Sequence, residues 1–163
     1  MTLVVGLIGL ITIAFFAFQL FPLMPGYLIK TTGLYLVIAV IALGHVAEYH
    51  PFPAFGLANQ ITTERAVFAV LVASLIGEPQ SPAVALSAVA GSLLVLALDG
   101  VDGWLARRTR MTSRFGARYD VEVDSLLNLA LAILVWRHDK AGGWVLLSGL
   151  LRYFFVVAGW LLP

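Results

Sequence analysis

The sequence predicts an all-α, polytopic membrane helix bundle of about six transmembrane helices, and three observations predict it. The 163 residues are 61% hydrophobic and 12% charged, whereas a soluble domain carries about 25% charged residues. Mean hydropathy is +0.96. The charges are segregated, so that residues 1–29 and 31–47 hold none. Inside lipid every backbone N–H and C=O must be satisfied within its own segment, which leaves helices as the spans this pattern can form.

The elements follow in order. Residues 1–29 give a first helix of about 20 residues, broken at Pro22 and Pro25. The N-terminus lacks a basic region and a small-x-small cleavage site, and reads as a retained helix. Residues 31–47 form a second helix ending near Glu48, and His50 to Gly56 is a proline-punctuated connection. A third runs from near Thr62 to Gly77, and the turn from Gly77 to Pro82 launches a fourth. The fourth is apolar to Leu98, where the charged stretch begins at Asp99. A fifth covers Tyr119 to Trp136, and the turn Arg137 to Gly143 leads to a sixth ending at Leu162.

Basic residues orient the bundle. Arg107, Arg108, Arg110, Arg114 and Arg118 cluster after the fourth helix, against Lys30 alone in the first turn. The excess of arginine places that loop in the cytoplasm. Cysteine is absent, so disulfides and thiolate metal sites are excluded. No nucleic acid is expected as a partner.

The chemistry lies between Asp99 and Asp124. Asp99 and Asp102 are spaced i, i+3, and Asp120 and Asp124 i, i+4, so each pair shares one helix face. One pair ends a helix entering the cytoplasm and the other begins the helix returning. Carboxylates at bilayer depth are costly and mark function. Four together either protonate or are neutralised by cations. All-oxygen ligands suit magnesium, manganese or calcium, and four carboxylates match the charge of two divalent ions. The structural alternative is that they pair with Arg107, Arg114 or Arg118.

Asp99, Asp102, Gly103, Ala106, Arg107, Gly116, Asp120 and Asp124 spell D-x2-D-G-x2-A-R-x8-G-x3-D-x3-D. This resembles the signature of the CDP-alcohol phosphotransferases. Upstream, Asn59, Ile61, Thr62 and Arg65 are similar to a stretch that often opens the family's first core helix. On the residues alone, Thr62 caps a helix and Arg65 anchors it at the headgroups. The resemblance implies an enzyme moving a substituted phosphoryl group from a CDP-linked donor, CDP-diacylglycerol being preferred, to an alcohol acceptor in phospholipid synthesis, with release of CMP. It implies two divalent cations, Mg2+ or Mn2+, on Asp99, Asp102, Asp120 and Asp124, with Asp124 also the base. Thr62, Arg65, Gly103, Ala106, Arg107, Ser113, Gly116 and Arg152 become substrate-binding candidates. The active site would face the cytoplasm from the cell inner membrane.

The resemblance divides the chain into a two-helix membrane extension, 1–58, and a core, 59–163, that lacks the family's last two helices. Arg152, midway along the sixth helix, is expected either to hold an acceptor phosphate or to pair with a carboxylate such as Glu122. Glu122 is about 200° from Asp120 around its helix and is expected to pair with Arg118. His45, Glu48 and His50 read as interfacial residues, and Trp104, Trp136, Trp144 and Trp160 as interface aromatics. Small residues from Ala83 to Ser92 suit close packing, within the chain or in a homodimer. Two rival functions stand beside the enzyme: a divalent-cation transporter and a catalytically silent membrane partner. A transporter needs polar groups continuing outward, and Leu93 to Leu98 and Leu126 to Val135 offer almost none.

Overall fold

The computed structural model describes residues 1–49, 55–109 and 113–161, apart from the side chains at 45–49, 106 and 159–161. Among the described residues the elements are α1 Thr2–Leu20, α2 Tyr27–Tyr49, α3 Leu57–Ser74, α4 Pro82–Thr109, α5 Arg114–Arg137 and α6 Leu146–Leu161. A 3-10 turn, Gly143–Val145, leads into α6. The all-α expectation holds, with no strand among the described residues.

Two helix starts differ from the sequence expectation for identifiable reasons. α3 starts at Leu57 rather than near Thr62, because Gly56 at φ 81° turns the chain into the helix, a conformation open to glycine at little cost. Thr62 is therefore not a cap; its hydroxyl lies 3.1 Å from the Ala58 carbonyl one turn back. α5 starts at Arg114 rather than Tyr119, because Ser113 Oγ accepts from the Gly116 N–H at 3.0 Å. That bond satisfies one of the free donors of the first turn.

α3 is the axis of the bundle. It packs against α1, α2, α4 and α5, and 13 of its 18 residues are buried. A helix enclosed on every side cannot be amphipathic, which accounts for its run of Ala66, Val67, Ala69, Val70, Val72 and Ala73. α4 packs tightly on α3 at Gly91, where a Cβ would lie 2.6 Å from Val72 Cγ2. Val84, Ala88 and Val95 extend the same buried stripe of α4. α6 meets α5 at Gly149, where a Cβ would lie 2.8 Å from Leu129 Cα.

A buried carboxylate fastens the α1–α2 hairpin to the end of α3. Glu78, 4% exposed, accepts from the Met24 N–H at 2.6 Å and from Lys30 Nζ at 2.8 Å. Lys30 Nζ also donates to the Ile76 carbonyl at 2.9 Å. Within the hairpin, the Tyr35 hydroxyl donates to the Leu3 carbonyl at 2.9 Å.

Among the described residues, three segments are long and apolar enough to cross a membrane: Thr2–Leu20, Tyr27–Gly44 and Pro82–Thr109. The outer faces of α1, α4 and α6 expose Ile8, Phe16, Leu93, Leu96, Phe154 and Phe155. So much contiguous apolar surface is out of place in water and suits the acyl region of a bilayer.

Candidate functional site

The register of three helices brings the aspartates to one level. Asp102 and Asp99 lie seven and ten residues before the end of α4, and Asp120 and Asp124 six and ten residues after the start of α5. At 1.5 Å per residue, both pairs stand about 9 to 15 Å inside their helix ends. Arg65 lies eight residues into α3, about 12 Å along it, and so between the two pairs in depth. Asp99 and Asp102 continue the buried stripe of α4 that contains Val84, Ala88 and Val95, which points them at α3.

They converge on Arg65. Its Nη1 donates to Asp102 Oδ2 at 2.6 Å and to Asp120 Oδ1. Its Nη2 contacts Asp99 Oδ1 at 2.8 Å and donates to Asp124 Oδ1. Thr62 Oγ1 lies 3.0 Å from Asp102 Oδ2, so its single proton is shared between that carboxylate and the Ala58 carbonyl. The Arg65 side chain is fully buried, whereas those of Asp99, Asp120 and Asp124 are 47%, 37% and 50% exposed. Asp102 forms the floor at 6%.

The charge does not balance. One guanidinium faces four carboxylates, and Arg107, Arg108, Arg114 and Arg118 are exposed and make no ion pair with them among the described residues. The cage carries a net charge near −3 when ionised, a costly state for half-buried groups. Asp99, Asp120 and Asp124 each offer an oxygen, all within 4.8 Å of one another. An uncompensated set of clustered oxygen donors, open on one side, fits hard divalent cations.

The structure places the other sequence candidates unevenly. Arg65, expected to touch substrate, stands inside the acidic cage. Asn59, which the sequence offers only as part of a motif, donates through Nδ2 to the Phe55 carbonyl at 2.6 Å. Its Oδ1 lies 2.8 Å from where a Cβ on Gly116 would be, so Gly116 permits α3 and α5 to close beside the site. Ser113 is the α5 cap. Gly103 is half-buried, with Arg107 Nη1 3.3 Å from its Cβ position, so the Arg107 head folds back over it. Of the two expectations for Arg152, the structure shows the ion pair: its Nη2 donates to Glu122 Oε1 at 2.7 Å. Glu122 thus pairs with Arg152 rather than Arg118, on the side of α5 turned from Asp120. His50 and Arg110, and the side chains of His45, Glu48, Ala106 and Trp160, lie outside the described residues.

The model of one protein family, CDP-alcohol phosphatidyltransferase, matches residues 55–162. The chain belongs to that family. The match takes in α3 to α6 with all four aspartates and Arg65, while α1 and α2 precede it. No curated protein and no solved structure matches the chain. As a CDP-alcohol phosphatidyltransferase it is a transferase of phospholipid-type biosynthesis, carrying out phosphatidyl transfer from a CDP-linked substrate.

Proposed function

We propose that this CDP-alcohol phosphatidyltransferase transfers the phosphatidyl group of CDP-diacylglycerol to the hydroxyl of a small alcohol, releasing CMP. The observation that carries the reading is the cage itself: four carboxylates from α4 and α5 at one depth, with a single guanidinium among them. Asp99, Asp102, Asp120 and Asp124 would hold two divalent cations, Mg2+ or Mn2+. Ions held there would draw charge from the donor phosphates and so make CMP a better leaving group.

The chain's own groups do the rest. Asp124 is the most exposed of the four, and a base must come within hydrogen-bond reach of the attacking hydroxyl. It takes the hydroxyl proton as the new oxygen–phosphorus bond forms and the bond to CMP breaks. Arg65 fixes the carboxylate rotamers through its two Nη groups. Arg107, exposed above Gly103, meets the donor phosphates. Ser113 and Gly116 hold the start of α5 so that Asp120 and Asp124 keep their level. The acyl chains remain in lipid while the charged head enters from the arginine-rich, cytoplasmic side of a multi-pass protein in the cell inner membrane.

The test uses purified protein, CDP-diacylglycerol and a panel of alcohols with Mg2+ or Mn2+. CMP and one phospholipid product are expected, and both disappear on chelation and in a folded Asp124→Asn variant. CMP release that survives either change rejects the assignment.

A further inference from the structure

We propose that the groove between α2, α5 and α6 binds one anionic phospholipid of the bilayer, separately from the transfer site. The groove encloses about 370 Å3, within the range of ligand sites. Val37 and Ile38 of α2, Val123 and Leu126 of α5, and Tyr153 of α6 supply its apolar wall. Its charged lining residues are Arg118 and Glu122.

Three observations select the occupant. First, Glu122 is already neutralised by Arg152 at 2.7 Å, whereas Arg118 makes no ion pair among the described residues. The mouth therefore carries one spare positive charge, which complements a phosphate. Second, Arg118 is four residues from the start of α5, about 6 Å along it, at the arginine-rich end where headgroups lie. The apolar wall continues inward from there, as acyl chains do. Third, at 100° per residue the charged lining residues Arg118 and Glu122 lie about 120–160° around α5 from Asp120 and Asp124. A diphosphate held by the aspartates cannot also reach Arg118 around the helix, so the donor's head is not the occupant. A small polar alcohol would leave this wall unsatisfied. α2 lies outside the residues matched by the family, so such a lipid would join the N-terminal hairpin to the transferase helices.

The full chain in mild detergent, freed of lipid by exchange, is titrated with dioleoyl phosphatidylglycerol or dioleoyl phosphatidylcholine. Bound lipids are counted by native mass spectrometry, and thermal unfolding is followed in parallel. One phosphatidylglycerol is expected per chain, with a raised unfolding midpoint and no equivalent effect of phosphatidylcholine. Arg118→Gln should weaken phosphatidylglycerol about tenfold, the loss of one charged hydrogen bond. Val37→Trp, at a 57% exposed position, should block the groove without disturbing the core. Arg137→Gln, at the other end of α5, should bind like the unmodified chain. Equal binding of both lipids, or equal losses in Arg118→Gln and Arg137→Gln, overturns the proposal. A dimer that Val37→Trp dissociates would give the groove to a second copy and overturn it equally.

Discussion

Replacing Arg65 with methionine tests the balance of charge on which the site depends. The substitution keeps roughly the length of the side chain and removes its charge, leaving four carboxylates facing one another. Removing one member of a buried ion pair costs about 3–5 kcal/mol. Here Asp99, Asp120 and Asp124 are all more than a third exposed, so solvent screens their share, while Asp102 at 6% is not screened. The lower end, about 3 kcal/mol, is therefore expected. For a chain of this size that corresponds to a midpoint lowered by about 6–12 °C. The assay is thermal unfolding in detergent with a chelator, repeated with Mg2+ or Mn2+. Divalent ions should raise the variant's midpoint more than the parent's, since they supply the charge the guanidinium no longer does. Adding Asp102→Asn should recover part of the loss, because it removes the buried carboxylate left unpaired. A chelated Arg65→Met protein as stable as its parent, or a double variant whose losses simply add, would refute the reasoning.

Three further outcomes follow from the packing. Ser113→Ala removes the α5 cap and should cost about 1 kcal/mol, with hydrogen exchange rising first at Gly116 to Tyr119. Gly149→Ala sets a Cβ 2.8 Å from the Leu129 backbone and should lower stability by about 1–3 kcal/mol by parting α6 from α5; a neutral result in thermal unfolding would contradict the close approach. Glu78→Ala deletes the acceptor shared by Met24 and Lys30 and should cost about 2 kcal/mol. Limited proteolysis should then cut near residue 24 before it cuts within α3.

The apolar helices and the facing aspartate pairs were legible because both are local: uncharged runs mark the first, and i, i+3 and i, i+4 spacing the second. The start of α5 was legible in principle, since Ser113 stands three residues before a glycine whose N–H it could accept, but the charges from Arg114 to Arg118 suggested a loop. The start of α3 was misplaced because Thr62 looks like a cap, while the positive φ of Gly56 has no signature beyond being glycine. Arg65 stands out in the sequence as a motif residue, yet its role depends on how three helices assemble. Its place one turn from Thr62 put both on one face, but not which helix that face would meet. The Arg152–Glu122 pair was open to expectation because an arginine inside an apolar helix needs a partner, but periodicity could not choose between Arg152 and Arg118 for Glu122, since the pair joins residues 30 positions apart.

Because α3 is sheathed by four neighbours, with Val72 against Gly91 on one side, it is the least free element to shift during a catalytic cycle. Arg65 rides on that fixed axle, so the acid cage cannot widen by withdrawing its arginine. Whatever breathing admits substrate must come from peripheral rods such as the outward half of α4 and α6. Amide protons along α3 should accordingly be the slowest in the molecule to exchange, through every stage of turnover.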